Sequence, residues 1–319
     1  MIARNPRMKV HRRRAKTVRA PANKQAEGDA RVSRPDKVFY PKTGFTKGQV
    51  ADYYVRISPV LLPHLRERAL TLKRYPDGVE GGFFYEKRCP SYRPDWVQTT
   101  PMWSEPHGAD IHYCMVNDTR SLVWAVNLGD LELHTFLARG TNTEQPTSVV
   151  FDLDPGVPAN ILHCAQVGLW LREKLERLRL ESFPKTSGSK GLQVYVPLNS
   201  ATSYEETKPF ARAMAELLQS EHPESVVARM EKRVRVGKVF VDWSQNDRHK
   251  TTVCAYSLRA QERPTVSAPV TWAEVNAALK KKKADLLTFL SDQVLKRVEK
   301  QGDLFSPVLK LKQRLPATQ

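Results

Sequence analysis

Residues 147–156 read TSVVFDLDPG, and no other stretch restricts the fold as strongly. Val149, Val150 and Phe151 read as a buried strand, and Pro155-Gly156 stops it. Side chains alternate across a strand, so Asp152 and Asp154 leave one face about 7 Å apart while Leu153 leaves the other. The strand therefore ends in two like charges that repel each other unless something cationic sits between them. A strand end with two solvated acids satisfies the same ten residues, so the rest of the chain has to decide.

A third acid ends another apolar run in KVFVDWSQN, where Asp242 follows Val239, Phe240 and Val241. Carboxylates at strand ends suit Mg²⁺ or Mn²⁺, hard cations that take oxygen ligands. Two such ions can activate a hydroxyl and stabilise a leaving phosphate in an in-line displacement. Between these strands lies KTSGSKGLQ, in which Ser187, Gly188, Ser189, Lys190 and Gly191 suit a tight loop. Such a loop offers backbone N–H groups, hydroxyls and an ammonium to phosphates. It lacks the Walker A spacing, and alone it reads equally well as a plain turn. Arg235 and Arg259 add cationic reach, although a single arginine is usually surface.

Charge sharpens the choice. The chain of 319 residues carries 51 Lys and Arg against 34 Asp and Glu, a net +17. Nine of those cations, and no acid, lie in residues 1–24, leaving +8 on the remainder. Such an excess points to nucleic acid, bound through phosphate neutralisation and counterion release. The alternative is a generic basic surface. No apolar run approaches the roughly 20 residues that cross a bilayer. The N-terminus has no apolar signal-peptide segment, so the expected place is the cytoplasm, near the nucleoid, with no membrane contact. Cys89, Cys114, Cys164 and Cys254 lie far apart without a C-x-x-C pair and are expected as reduced thiols, neither a zinc site nor a disulfide framework.

Residues 1–34 read as a basic, aperiodic arm, residues 35–310 as one α/β catalytic domain, and residues 311–319 as a tail. Thr46-Lys47-Gly48-Gln49 fits a capping box, with Val50, Tyr53, Tyr54 and Ile57 following at helical spacing. ALTLKRYPDGVEGGFFYEKR reads as a hairpin around Pro76-Asp77-Gly78. Pro158 opens a helix whose stripe is Ile161, Cys164, Val167, Leu171, Leu175 and Leu178. GLQVYVPL alternates as a strand, with Gln193 and Tyr195 on one face. Ser203 and Thr271 begin two more capping boxes, the second on a final helix that ends in Lys280–Lys283.

Taken in order, VVFDLDPG, TSGSKGLQVYVPL, VDWSQN with the KTTV after it, and YSLRA resemble the polymerase domain of bacterial ligase D end-joining proteins, within the archaeo-eukaryotic primase superfamily. RPDKVFYPKTGFTKGQV and GGFFYEKRCPSYRPDWV look like the family's N-terminal motifs, and the similarity runs from about Arg34 to Leu309. The resemblance implies a two-part primase-polymerase fold with its carboxylates at the base of a cleft. It implies metal ligands at Asp152, Asp154 and Asp242, holding two Mn²⁺ or Mg²⁺ ions. It implies triphosphate and sugar contacts from His134, Ser187, Lys190, Arg235 and Arg259, and a grip on a downstream 5′-phosphate by Lys37 and Lys47. Phe83 and Phe84 match aromatics that pack against template bases. Without the resemblance, that pair reads as core and His134 as a satisfied strand histidine. Gln193 stands where the family usually has histidine, and its amide is expected on a phosphate oxygen.

The expected activity is template-directed extension of a DNA or RNA 3′-OH with nucleoside triphosphates, ribonucleotides included, at DNA ends under repair. No ligase K-x-D-G motif or evident nuclease module is present, so the implied partners are a Ku-type end binder and a separate ligase, with this chain a monomer. A non-catalytic nucleic-acid end-binding protein explains the charge but leaves three strand-end acids in a phosphate-repelling place. A D-x-D glycosyltransferase explains neither the basic arm nor the later motifs. A D-x-D-x-T phosphatase needs Thr or Val where Gly156 stands.

Overall fold

The computed structural model describes residues 31–104 and 107–316. The arm expected at residues 1–34 thus lies almost wholly outside the described residues. Of its last positions, Ser33 is bonded to the body, its N–H and hydroxyl both donating to Asn127 Oδ1 at 2.8 and 3.0 Å.

The acid-bearing strand, Ser148–Pro155, is the middle of a five-stranded sheet. Leu192–Pro197 and then Phe183–Thr186 lie on one side of it, Val239–Asp242 and then Val226–Val227 on the other. All pairs are antiparallel except the last. The register sets Asp152 opposite Gln193 on one neighbour and opposite Asp242 on the other. Directly opposed residues of an antiparallel pair share a face. Asp152, Asp154, Gln193 and Asp242 therefore all leave one side of the sheet.

The opposite side is apolar. Val149, Phe151, Leu153, Leu192, Val194 and Val241 are fully buried against helices Ile161–Arg177, Tyr204–Glu221 and Trp272–Lys281. Each such side chain contributes about 1.5–3 kcal/mol on burial. That packing anchors a strand whose end carries two repelling charges.

A second sheet orders Thr251–Val253, Asp130–Phe136, Ala69–Arg74, Ala109–Met115 and Thr99–Ser104, and Phe84–Glu86 also pairs with Ala69–Arg74. The last pairing is the expected hairpin. Its turn is closed by Gly78 N donating to Tyr75 O at 3.1 Å. Gly78 has φ +82°, and a Cβ there would lie 2.7 Å from Phe39 O, so the turn needs glycine. Helix Lys47–Leu65 starts at the expected Thr46 capping box and buries Val50, Tyr53, Tyr54 and Ile57. Val150 and Tyr195, from the acid-bearing face, share one core with this helix and the second sheet. The face that holds the aspartates is thus the face turned toward the second sheet.

Several sequence expectations are corrected. Pro158 does not open the helix after the acids: it follows a cis peptide bond, and the helix starts at Ile161 with Asn160 as its cap, Oδ1 accepting from Leu162 N at 2.9 Å. Leu178 caps that helix's C-terminus and is exposed, because the stripe has rotated to solvent by the last turn. The helix capped by Thr271 ends at Lys281, but Ser291–Gln301 and Ser306–Lys310 follow it. The segment read as a tail is docked as far as it is described. Gln313 N donates to Leu198 O at 2.9 Å, and Gln313 Nε2 donates to Pro197 O at 2.8 Å.

The thiols are corrected too. Cys89 and Cys114 form a disulfide with a Cα–Cα separation of 4.9 Å, while Cys164 and Cys254 are free and buried. Cys89 N donates to His112 O at 2.7 Å, which seats the loop carrying Cys89 on the strand carrying Cys114. A spacing of 25 residues gave no sign of that approach.

Candidate active site

The turn after the third acid is built by the residues of VDWSQN. Asn246 Oδ1 accepts from Val150 N at 2.8 Å and its Nδ2 donates to Val150 O at 2.7 Å, so a side chain completes the sheet where the strand stops. Ser244 donates to Asp242 Oδ1 from both N and Oγ, at 2.9 and 2.7 Å, and Gln245 Nε2 donates to Oδ2 at 3.0 Å. Asp242 is thereby held in place, with lone pairs left on its oxygens.

Asp152 and Asp154 have fewer partners. Asp152 Oδ1 is buried without a hydrogen bond. Burial, then the charge of Asp154, pushes Asp152 up to about 7. Burial and Asp242 raise Asp154 as well, and Arg235 and Arg259 pull it back down. Among the described residues, no three His, Cys, Asp or Glu side chains gather closely enough to cage an ion by themselves. A Mg²⁺-type ion does not require that, since it takes one or two carboxylates and completes its shell with water and substrate phosphates. The all-oxygen donor set and the unpartnered Asp152 oxygen fit such a cation.

The loop after Lys185 packs directly on the acid strand. A Cβ on Gly191 would lie 2.2 Å from Leu153 O, and the same position is 3.5 Å from Asp154 Oδ1. Gly188 has φ +69°, and a Cβ there would meet the backbone of Val266 at 2.5 Å. The loop closes on itself in a way the sequence did not suggest. Ser187 Oγ accepts from Ser189 N at 3.2 Å and Gly191 N at 3.0 Å, so two of the N–H groups expected for phosphate are already used. Lys190 stands exposed at the loop.

Arginines approach from two sides. Arg259 donates to Ser187 O. Arg235 stacks its guanidinium 3.6 Å above the Phe240 ring and donates to Met230 O. Glu132, which the sequence reading missed, holds this side together. It is 1 % exposed, and it accepts from His134 Nε2 at 3.0 Å, Lys73 Nζ at 3.1 Å and Ala260 N at 3.0 Å. Arg259 Nε lies 3.4 Å from the same carboxylate. Burial would raise Glu132, but His134, Arg259 and Lys73 outweigh it and hold it well below the ordinary carboxylate range. Burial keeps His134 below its usual value against the pull of Glu132. The available signal was spacing: Glu132 and His134 are two apart in a strand and so share a face.

The line continues outward. Lys73 Nζ lies 4.6 Å from the centroid of the Phe83 ring and 5.9 Å from that of Tyr85. Phe83 and Phe84 are 52 % and 45 % exposed, so the aromatic pair is surface and not core. Arg74 sits 5.1 Å over the Phe84 ring. A continuous path of contacts thus joins exposed aromatic faces, through Lys73, Glu132 and Arg259, to the loop beside Asp154.

Gln193 is brought beside Asp152 but not to the cleft surface. It is 2 % exposed, with Oε1 accepting from Lys185 Nζ at 2.5 Å and Nε2 donating to Thr252 Oγ1 at 3.1 Å. Its amide is committed inside the protein instead of facing a phosphate.

Lys37 and Lys47 meet in a separate pocket with Arg34, Arg74 and Asn127. Lys47 Nζ donates to Asn127 Oδ1 at 2.8 Å, and Lys37 Nζ to Asp77 Oδ1 at 2.7 Å. Burial, then Lys37 and Arg34, lowers Lys47. Cations that disfavour one another's charge favour an anion between them.

The family model described as LigD, primase-polymerase domain, matches residues 46–305. The chain belongs to that family. Primase-polymerase domains of this family are DNA-directed nucleotidyltransferases, and that is the reaction class of this chain. It is 39 % identical over 280 residues to the multifunctional non-homologous end joining protein LigD of Mycolicibacterium smegmatis, and 34 % identical over 268 residues to the bifunctional LigD of Bacillus subtilis. Those matches cover 87 % and 84 % of this chain but only 36 % and 42 % of the relatives. The polymerase domain of Mycobacterium tuberculosis ligase D, solved in complex with DNA, matches with a TM-score of 0.83 and 36 % identity, covering 89 % of this chain and 99 % of that one. The primase-polymerase assignment removes the glycosyltransferase and phosphatase readings and establishes the expected fold. Among the described residues, no helix of this domain is long and apolar enough to cross a membrane.

Proposed function

We propose that this domain extends 3′ ends and fills gaps at broken DNA, adding nucleoside triphosphates, ribonucleotides among them, as directed by a template. The observation that carries this reading is the line of contacts from the exposed Phe83 face through Lys73, Glu132 and Arg259 to the Ser187 loop, which packs beside Asp154, because templating and chemistry have to be coupled. Asp152, Asp154 and Asp242 would hold one or two Mn²⁺ or Mg²⁺ ions. When bound, such ions activate the attacking hydroxyl and offset charge on the leaving phosphate.

The chain's own residues supply the rest. Arg235 and Arg259, whose charges lower Asp154, would receive triphosphate oxygens together with the exposed Lys190 of the loop. Glu132 keeps His134 and Arg259 fixed at the nucleotide's side. Phe83 and Phe84 offer faces for template bases. Lys37 and Lys47 take the downstream 5′-phosphate. The setting is end joining in the cytoplasm, at the nucleoid, with this chain a monomer beside a Ku-type end binder and a ligase activity. Extension of a primer across a gapped duplex, abolished by chelation of divalent ions, tests the reading.

Two further results are expected. Lys37→Met with Lys47→Met keeps the apolar stems and removes both charges. It should weaken binding to gapped DNA by about 1.5–3 kcal/mol per lost contact, and only when the downstream strand carries a 5′-phosphate. Equal losses on phosphorylated and unphosphorylated gaps would reduce the two lysines to general electrostatics.

The raised Asp152 gives a pH signature. An acid whose folded pKa lies above its unfolded value costs the fold stability as pH rises through that window, here from the ordinary carboxylate range to about 7. The metal-free protein should therefore melt lower as pH rises across it. Mn²⁺ competes with the proton and should raise the melting temperature more at about pH 7.5 than at about pH 5.5. Equal Mn²⁺-induced shifts at both pH values would contradict the assignment of Asp152 as a ligand.

A further inference from the structure

Lys185 has no part in the chemistry described so far, yet it is wholly buried, at 0 % exposure. Its strand sets it opposite Gln193, and Gln193 is opposite Asp152. The three therefore stand side by side on one face of the first sheet. Lys185 Nζ donates to Gln193 Oε1 at 2.5 Å and to Ser267 Oγ at 2.6 Å. Ser267 Oγ in turn donates to Thr186 O at 3.0 Å, and Gln193 Nε2 donates to Thr252 Oγ1 at 3.1 Å.

An amide can lie either way round, and most polar neighbours tolerate both orientations. An ammonium does not, because it has three donors and no acceptor. With Lys185 on one side, the oxygen of Gln193 must face the cation and the NH₂ must face away. The register puts Asp152 on the far side of Gln193 from Lys185, so the side of the amide turned away from Lys185 is the side next to the carboxylate.

We propose that Lys185 is a positioning residue for Asp152, fixing the orientation of the Gln193 amide so that the carboxylate is presented in one geometry to a divalent cation. The inference rests on the reading of Asp152 as a metal ligand. It also accounts for a glutamine at this position: an amide can hold the carboxylate here because a buried cation fixes its orientation.

The test is Mn²⁺ binding, followed by electron paramagnetic resonance of the free ion, with no DNA or nucleotide present. Lys185→Gln keeps hydrogen-bonding capacity at the site but lets the facing amide lie either way. It should melt close to wild type and bind Mn²⁺ about 10- to 100-fold more weakly, the usual cost of losing a residue that orients a ligand. The double variant Lys185→Met with Gln193→Leu removes both polar partners together and should recover stability lost in Lys185→Met alone. Its Mn²⁺ binding should stay weak. Wild-type Mn²⁺ affinity in a folded Lys185→Gln protein, or recovery of affinity along with stability in the double variant, would overturn the proposal. Absence of Mn²⁺ binding by the wild-type protein would overturn the metal reading and this inference together.

Discussion

Asp152→Asn and Asp154→Asn should each lower primer extension by about a thousandfold or more while leaving DNA affinity within a few-fold of wild type. A metal-held hydroxyl and leaving group draw several kcal/mol from the ions. At 1.36 kcal/mol per factor of ten, a loss near 4 kcal/mol gives that thousandfold. Asparagine keeps the shape but is a much poorer ligand for a hard cation. Neither substitution should unfold the protein, because burial and their mutual repulsion already disfavour both charges. The metal-free variants are expected to melt at or slightly above wild type. A variant that extends primers at more than about a tenth of the wild-type rate would remove its aspartate from the chemistry.

The second large effect is expected at Glu132. Its carboxylate meets His134, Lys73 and Arg259 in a site closed to solvent. Removing one member of a buried ionic group leaves the others uncompensated and costs about 3–5 kcal/mol. Glu132→Gln should therefore lower the melting temperature by roughly 10 °C for a domain of this size. The folded fraction should also show a raised KM for nucleoside triphosphate, because Arg259 loses the anchor that holds it against Ser187 O. The depressed pKa of Glu132 gives stability that is full above the ordinary glutamate range and is lost only in strong acid. Wild-type and Glu132→Gln proteins should accordingly converge in stability as pH falls far below 4.5. A melting temperature within about 2 °C of wild type at neutral pH would show that the cations relax to solvent without it.

What could be read from the sequence was local. The acid strand, the capping boxes at Thr46, Ser203 and Thr271, and the hairpin around Pro76-Asp77-Gly78 depend on residues within a few positions of each other. The facing of Asp152 and Asp154 follows from strand alternation alone. Apart from the start and last turn of the helix after the acids, the errors lie in contacts between residues far apart along the chain. Spacing could pair Glu132 with His134, but its hold on Arg259 appears only when that residue arrives from the far end of the sequence, and Lys185 stands out only when Ser267 and Gln193 close around it. Cys89 and Cys114 meet because a loop folds back on a strand, which no spacing rule announces. Gln193 was placed on the correct face, but its alternation could not show that Lys185 and Thr252 would take both ends of its amide. The Ser187 loop was placed correctly and its hydroxyl was not, since the backbone fold decides whether Ser187 Oγ points out or turns inward.

On the proposed function, the carboxylate face and the aromatic face serve one templated reaction. Single-nucleotide addition to a gapped duplex tests it most directly, with each of the four template bases presented in turn and Mn²⁺ supplied. Only the complementary nucleotide should be added, chelation should stop addition, and Phe83→Ala with Phe84→Ala should weaken template choice more than DNA binding. Addition that ignores the template base, or tight DNA binding with no nucleotide added at all, would contradict it.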